Sequence, residues 1–163
     1  MLHRDGAAQL TLDAVAREAG VSKGGLLYHY PSKDALLEDV LDRHLHEAEA
    51  DIARRAALDQ RPSGRFARAY LGTTLDTPPE EPGAGALLAA ISLNPDLLAP
   101  VRARYQDWQA RAEHDGLPPG LGTLLRLAAD GLWLADLLNL APPSAPERAA
   151  MLATVERLTQ ETP

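Results

Sequence analysis

Hydrophobic residues recur at helical spacing along most of this sequence. From Lys33 to about Leu58 they return every three or four positions, which places them on one face of a single long amphipathic helix. The apolar positions of this stretch are Leu37, Val40, Leu41, Leu45, Ala48 and Ile52. Comparable periods predict four more helices, over Arg65 to about Leu75, Leu97 to about His114, Leu121 to Leu140 and Pro146 to about Thr159.

Turn residues separate these helices, and no segment has the pattern of a strand. The segment DTPPEEPGAG, from Asp76 to Gly85, holds three prolines and two glycines in ten residues and predicts a loop. A short helix is expected from Ala86 to Ser92, ended by Asn94 and Pro95. Together with two short helices before Lys33 this makes about eight helices, and we expect an all-α fold.

The two short helices near the start of the chain are joined by a tight turn. Thr11 can cap a helix that begins at Leu12, and Gly20 can end it because glycine adopts the left-handed conformation without steric strain. Ser22 then offers a second N-cap, for a helix from Lys23 to about Tyr30. Two helices joined in this way form a helix-turn-helix.

Composition suits a helical protein of one or two compact domains. The 163 residues are 45% hydrophobic but only 4% aromatic, so we expect a core of Leu, Ala and Val. The absence of cysteine excludes disulfides and thiolate metal sites, and it suits a reducing cytoplasm. No membrane span is expected, because Arg126, Asp130 and Asp136 interrupt the most apolar segment, Leu117 to Ala141.

The net charge of −7 is unevenly distributed. Residues 1–33 hold four basic and three acidic side chains, which leaves a net charge of −8 on the other 130 residues. A slightly basic end on an acidic body suits a protein that contacts DNA at one end. Because basic residues are few, we expect weak non-specific binding and a dependence on base contacts and on a dimer.

The helix-turn-helix and the start of the long helix resemble the TetR family of bacterial transcriptional regulators. The residues that carry this resemblance stand in one uninterrupted register: Thr11, Val15, Ala16, Ala19, Gly20, Val21, Ser22, Gly24, Leu26, Tyr28, His29, Tyr30, Lys33, Leu36 and Leu37. They cover about the first quarter of the chain, and the remainder fits in length and helical character. The resemblance implies a TetR-like fold with a DNA-binding domain over residues 1–45 and a ligand-binding and dimerisation domain over residues 46–163.

The resemblance also places DNA contacts on the helix-turn-helix. The expected DNA-binding residues are Thr11, Ser22, Lys23, Gly24, Gly25, Leu27, Tyr28, His29 and Lys33. Thr11, Ser22 and Lys33 can donate to phosphates, whereas Lys23, Tyr28 and His29 can reach base edges or thymine methyl groups. The two glycines would allow close approach to the groove, and Leu26 would point into the core. Two alternatives remain open: Tyr28 as a core aromatic residue and His29 as a helix cap.

By the same resemblance, the last two helices supply a homodimer interface. Our candidates are Gly131, Met151, Val155 and Leu158, of which the last three would form an apolar stripe that a monomer exposes. The alternative is that both helices complete the core of a monomer. Asp130 and Asp136 are expected to face solvent; if buried, they would need partners such as Arg126 or a cationic ligand.

Regulators of this type leave DNA when the body of the protein binds a small molecule. Aromatic side chains could line a pocket for a hydrophobic or planar effector, with ordinary core packing as the alternative. The candidates are Phe66, Tyr70, Tyr105, Trp108 and Trp133.

Enzymatic chemistry is not indicated. No catalytic motif occurs in the sequence. His44 and His46 stand two positions apart on a helix and so point to different sides, which prevents them from binding one metal ion together. We expect no catalytic residue, metal or cofactor.

The expected function is that of a ligand-responsive transcriptional regulator, a repressor that binds a palindromic operator as a homodimer and is released by a small hydrophobic effector. In TetR-type proteins a further helix comes first, and Met1 to Gly6 resembles only its end, so we expect that helix to be incomplete. The alternative function is therefore a dimeric helical ligand-binding or interaction protein that has lost DNA binding with its first helix.

Overall fold

The computed structural model describes residues 11–76, 90 and 93–160. These residues form seven α-helices and one 3₁₀ turn without any strand, which confirms the expected all-α fold. The helices are α1 (Leu12–Glu18), α2 (Lys23–His29), α3 (Lys33–Leu58), α4 (Arg65–Asp76), α5 (Ala99–Glu113), α6 (Leu121–Leu138) and α7 (Ala145–Gln160). The 3₁₀ turn, Pro95–Leu98, leads directly into α5. The loop predicted after Asp76 and the helix predicted from Ala86 to Ser92 lie outside the described residues, apart from Ala90.

The first three helices begin where the sequence predicts, because their caps form. The hydroxyl of Thr11 accepts the N–H of Ala14 at 3.2 Å, and that of Ser22 accepts the N–H of Gly25 at 3.0 Å. Ser32 caps α3 in the same way, through the N–H of Ala35 at 3.0 Å. Between α1 and α2, Gly20 has the predicted left-handed conformation, with φ of +68°.

The described residues divide into two compact units, and the division falls inside α3, after His46, and inside α5, after Arg104. The first unit contains α1, α2 and residues up to His46, together with residues 90 and 93–104. The domain boundary predicted between residues 45 and 46 stays a prediction.

The core of the first unit joins distant parts of the sequence. Leu37 and Leu41 of α3 form a buried cluster with Ala90 and Leu97. Near this cluster the side-chain amide of Asn94 donates to Asp34 Oδ2 at 2.9 Å. The stretch around the 3₁₀ turn therefore completes the hydrophobic face of α3 in this unit.

The second unit is built around α4, which packs mainly against α6 and also contacts α7. The buried apolar residues of α4 and α6 are Phe66, Ala67, Ala69, Tyr70, Leu71, Leu125, Ala129 and Leu132. Helices α5 and α6 approach each other closely at Gly122, which has no side chain. A Cβ built on Gly122 would lie 1.9 Å from the carbonyl oxygen of Ala112. Gly122 is therefore required by packing.

The start of α4 is capped from a remote position. The carboxylate of Asp115 accepts the N–H groups of Phe66 at 3.0 Å and Ala67 at 2.8 Å, and the N–H of Gly64 donates to the backbone oxygen of Asp115 at 2.7 Å. These are donors that a helix N-terminus leaves unsatisfied. The segment after α5 is thus fixed to the segment before α4.

Helix α6 ends earlier than predicted. It stops at Leu138 rather than Leu140, because Asn139 and Ala141 both adopt positive φ, 52° and 47°. The segment, apolar nearly all round, is divided between a buried face and an exposed face. The exposed face carries Leu124, Leu127, Gly131, Leu134 and Leu138.

Three sequence-based expectations for α6 and α7 were wrong. Asp130 and Asp136 do not face solvent: both are partly buried, and they pair with Arg126 and Arg148. Val155 is not part of an exposed stripe, since it is buried within the single chain, while Met151 and Leu158 are half-buried. Periodicity shows which residues share a face but not which neighbour covers that face.

Membrane insertion receives no support from the described helices, since none is long and apolar enough to span a bilayer.

Candidate nucleic-acid interface and aromatic cluster

The exposed side of α2 is the candidate nucleic-acid interface. Leu26 is the buried residue of this helix, as predicted, whereas Tyr28 is 85% exposed and Leu27 and His29 are also exposed. The alternative in which Tyr28 is a core aromatic is therefore wrong. Tyr28 and His29 contact each other edge to face, with ring centroids 5.2 Å apart, so both rings are presented outward together.

His29 ends α2 without capping it. The capping residue is Tyr30, whose N–H donates to the backbone oxygen of Leu26 at 2.8 Å. The alternative role of His29 as a helix cap is accordingly not observed, and its imidazole is directed to the exposed side.

The two glycines of α2 have different surroundings. A Cβ on Gly24 would meet no atom within 4 Å, whereas one on Gly25 would lie 3.1 Å from the capping oxygen of Ser22. Gly25 thus has a local reason to be glycine, because it leaves room for the cap. The described residues give Gly24 no such reason, and its role in close approach to DNA stays a prediction.

The expected phosphate donors stand at helix starts. Thr11 and Ser22 are exposed caps whose oxygens accept backbone N–H groups, so each hydroxyl proton remains available for donation outward. Lys33 is half-buried at the first residue of α3. All three positions combine a polar side chain with the positive end of a helix dipole.

An ion pair that the sequence analysis did not anticipate involves one of the expected DNA contacts. Lys23 Nζ lies 3.0 Å from Asp13 Oδ2, and both side chains are more than half exposed. Asp13 lies in the first turn of α1, and nothing in a helical period shows that it meets Lys23 across the turn. An exposed pair of this kind is weak, so Lys23 can leave it for DNA.

A second unanticipated contact joins α2 to α3. The hydroxyl of Tyr30 donates to Asp39 Oδ2 at 2.8 Å, and Arg43 Nη2 donates to the same oxygen at 3.0 Å. The hydrogen bond to Asp39 raises the pKa of the Tyr30 hydroxyl, because ionisation would place two negative charges together.

Four of the five predicted pocket residues form one aromatic cluster in the second unit. Ring centroids are 5.7 Å apart for Phe66 and Tyr70, 5.3 Å for Tyr70 and Trp108, and 5.0 Å for Tyr105 and Trp108. Tyr105 is half-buried, and the other three are buried. Among the residues described, no ring contact connects Trp133 to this cluster. The structure thus brings four candidates together and leaves Trp133 apart.

Charged groups border the aromatic cluster. Glu49 accepts hydrogen bonds from Trp108 Nε1 at 2.6 Å and from Arg111 Nη1 at 2.7 Å, and the Arg111 guanidinium lies 4.4 Å from the centre of the Phe66 ring. Glu49 was not singled out from the sequence, since it is one of several acidic residues on α3. Its function as an acceptor is visible only once α3 and α5 are placed together.

Asp130 lies at the other edge of the cluster. It accepts from the hydroxyl of Tyr70 at 2.6 Å and from Arg126 Nη1 at 2.6 Å. Burial raises the pKa of Asp130, although the Tyr70 hydrogen bond and the Arg126 charge act in the opposite direction. Burial, with Asp130 nearby, also raises the pKa of Tyr70, and it raises that of Tyr105 to about 12. Both tyrosine hydroxyls are therefore neutral at physiological pH, and that of Tyr70 donates to Asp130.

The predicted interface residues lie on two helices. Gly131 is exposed in the middle of α6, and a Cβ added there would meet nothing within 4 Å. On α7, Leu152 is exposed, although it is not among the predicted interface residues. The dimer assignments of Gly131, Met151, Val155 and Leu158 stay predictions.

Metal chemistry is not suggested in the described part of the chain, which contains no group of three or more His, Asp or Glu side chains suited to hold an ion. His46 accepts or donates locally, with its Nδ1 2.8 Å from the backbone oxygen of Asp42.

Comparison with known proteins identifies the family. Residues 64–160 match the family model for tetracyclin repressor-like C-terminal domains, and residues 1–40 match that for bacterial regulatory proteins of the TetR family. Searches of curated proteins and of solved structures gave no significant match. The first family match alone spans more than half of the chain. The chain therefore belongs to the TetR family, whose members are in general ligand-responsive, non-enzymatic DNA-binding regulators of transcription.

Proposed function

We propose that this regulator is a repressor that binds a palindromic operator in the cytoplasm as a homodimer and leaves it when a small hydrophobic effector binds. The observation that carries the proposal is the exposed side of α2. Helix α2 has seven residues and buries Leu26, whereas Gly24, Tyr28 and His29 are exposed, and none of these three packs against the core of the described residues. The N-terminal part of such a helix fits the major groove.

Within this proposal the DNA contacts divide by chemistry. Thr11, Ser22 and Lys33 bind phosphates and fix the register, while Lys23, Tyr28 and His29 contact base edges or thymine methyl groups. Gly24, Gly25 and Leu27 allow α2 to approach the DNA groove closely. Exposure of these side chains supports the division, and so does the position of the phosphate donors at helix starts.

A selection from random DNA duplexes tests the DNA-binding proposal. The full chain is used to enrich duplexes from a random pool, and the affinity for the enriched duplex and for a scrambled duplex is measured over a range of salt concentrations. Lys33→Ala should weaken binding to both duplexes alike and lower the slope of log K against log salt by about one unit. Tyr28→Ala should lower mainly the preference for the enriched duplex, since an exposed ring can be removed without disturbing the core.

Arg157→Ala is the matched control, because it removes an exposed cation from α7 and should change neither quantity. Equal losses on both duplexes for Tyr28→Ala and Lys33→Ala would contradict the assigned roles. A chain that dimerises but enriches no sequence would favour the alternative of an interaction protein without an operator.

The homodimer part of the proposal is supported by the exposed face of α6. Its members, Leu124, Leu127, Gly131, Leu134 and Leu138, are spaced by three and four residues in turn, which is the spacing that packs one helix against another. Gly131 at the centre would let two backbones approach closely. A palindromic operator follows, because a two-fold dimer presents two copies of α2.

The effector part of the proposal is supported by the aromatic cluster of Phe66, Tyr70, Tyr105 and Trp108. Its polar edges, Glu49 and Asp130, are already paired with arginines, so the contact offered to a ligand is mainly apolar. Helix α3, a continuous helix of 26 residues with members in both units, is the proposed coupler to the DNA-binding end. Binding would shift an equilibrium between DNA-compatible and incompatible states.

Fluorescence of single-tryptophan variants tests the place of effector binding. In Trp133→Phe the remaining tryptophan is Trp108, and in Trp108→Phe it is Trp133. With 1-anilinonaphthalene-8-sulfonate as a planar apolar probe, we expect saturable quenching of Trp108 and release of the enriched duplex at the same probe concentrations. Quenching of Trp133 alone would place the site elsewhere.

A further inference from the structure

The attachment of α2 to the rest of its unit is sparse. The helix has seven residues, and Leu26 is the one that it buries. At its N-terminal end, the ion pair between Lys23 and Asp13 is exposed on both sides and adds little. Helix α2 also contacts α1, but a single buried apolar side chain constrains rotation about the helix axis less than two anchors do. Such a rotation would redirect Tyr28 and His29.

Tyr30 supplies a second anchor at the C-terminal end of α2. It follows Leu26 by four residues, so both anchors lie on the same side of the helix, opposite Tyr28. The half-buried side chain donates to Asp39 Oδ2 at 2.8 Å, and Arg43 Nη2 holds that carboxylate from one turn further along α3, at 3.0 Å. The acceptor is charged, which makes the hydrogen bond stronger than one between neutral groups. The Asp39–Arg43 pair is itself largely exposed, so the direct hydrogen bond from Tyr30 is the main contact of this anchor.

We propose that Tyr30 is a positioning residue that fixes the orientation of α2 through Asp39 and Arg43, and thereby sets how Tyr28 and His29 meet DNA. Tyr30 does not contact DNA in this proposal. The hydroxyl of Tyr30, rather than the packing of its ring, provides this function in the proposal. A phenylalanine would fill the same space without the hydroxyl and should therefore not fix α2. The consequence for DNA rests on the proposed function, whereas the attachment of α2 does not.

The test compares the wild-type chain with Tyr30→Phe and Asp39→Asn. Thr74→Val is the matched control, since it removes a hydroxyl that donates to the backbone oxygen of Tyr70 at 3.1 Å in α4. Amide hydrogen exchange over residues 23–30 reports the attachment of α2 without DNA. The ratio of affinities for the enriched and scrambled duplexes reports its orientation on DNA, and it is insensitive to the general gain in phosphate attraction when Asp39 loses its charge.

We expect Tyr30→Phe to speed exchange in α2 and to lower the affinity ratio, each by about fivefold, with an unchanged salt slope. Asp39→Asn should change both quantities in the same direction, and its effect should shrink when Tyr30 is already phenylalanine. Thr74→Val should change neither. Unaltered exchange in α2 of Tyr30→Phe would overturn the proposal, and so would faster exchange with an unaltered affinity ratio. A wild-type chain that enriches no sequence would refute the proposed function, while the exchange measurement would still decide whether Tyr30 fixes α2.

Discussion

Two aspartates show how the environment of a single residue sets its charge. Burial acts to raise the pKa of Asp51, but hydrogen bonds from Arg55, Thr73 and Arg54 outweigh it and lower the pKa from 3.8 to about 2. The contacts are short, with Arg55 Nε at 2.5 Å and Thr73 Oγ1 at 2.8 Å. For Asp130 burial prevails and the pKa is raised. The charge of Asp51 therefore stabilises the fold, whereas that of Asp130 opposes its own burial.

Replacement of Asp51 should change the acid sensitivity of the protein. Because the folded pKa lies below the unfolded value, the stabilisation is complete above about pH 4 and disappears as the pH falls through about 2. Asp51→Asn should lower the free energy of unfolding by about 2 kcal/mol at neutral pH, and the difference from wild type should shrink in acid. Urea unfolding between pH 7 and pH 3 measures this.

The exposed Asp107→Asn on α5 is the control for this experiment, because it removes a carboxylate that lies 3.6 Å from Arg111. It should leave the free energy of unfolding at neutral pH nearly unchanged, because an exposed ion pair contributes little. A loss for Asp51→Asn that stays constant over the whole pH range would contradict the linkage.

At the scale of helices, local sequence determined most starts and ends. Thr11 and Ser22 cap the first two helices as predicted, and Ser32 caps the third in the same way, because a cap bonds within its own turn. The cap on α4 was not predictable, since Asp115 lies 49 residues from Phe66. The close contact of α5 and α6 at Gly122 also depends on two segments meeting, and the sequence shows only a glycine near a helix start.

Gly122→Ala should destabilise the second unit. Its Cβ would lie 1.9 Å from the carbonyl oxygen of Ala112 and 2.8 Å from the carbonyl carbon, so backbone rather than a flexible side chain must move. We expect a loss of about 2 kcal/mol or more in the free energy of unfolding, measured by chemical denaturation. Gly24→Ala is the control, because its Cβ would meet no described atom within 4 Å and α2 lies outside the proposed dimer face, so the change should be neutral or stabilising. Equal stability of the two variants would show that the helices can separate without cost.

Among the described residues, helix α6 has an exposed apolar face. Leu127 and Leu134 are 52% and 42% exposed on α6, one turn on either side of Gly131. In a monomer this face would stand in water, which is unfavourable for a contiguous apolar surface. It is therefore the surface on which oligomeric state is best tested.

Leu127→Asp and Leu134→Asp should convert the proposed dimer to a monomer, because a charge would be buried without a partner. Sedimentation measures the change in mass, and circular dichroism checks that the helices remain. Leu58→Asp on α3 is the control, since Leu58 is 71% exposed outside this face. Gly131→Ala should weaken the dimer if two backbones meet there. A wild-type chain that sediments as a monomer would refute the dimer.

Sequence alone determined the helices, the helix-turn-helix and the family, because helical period, caps and a contiguous motif are local properties. It also predicted that Leu26 is buried and that Tyr28 and His29 point outward. It did not determine the partners of polar groups: Lys23 with Asp13, Tyr30 with Asp39 and Asp136 with Arg148 each join separate helices.

Tertiary structure alone decided which apolar face is covered. It buried Val155, and it left Leu124, Leu127, Leu134 and Leu138 of α6 exposed. It also completed the core of the first unit with Ala90 and Leu97, far from the helix-turn-helix in sequence. The physical reason is that period and propensity act within a few residues, whereas burial and ion pairing depend on segments that only the folded chain brings together.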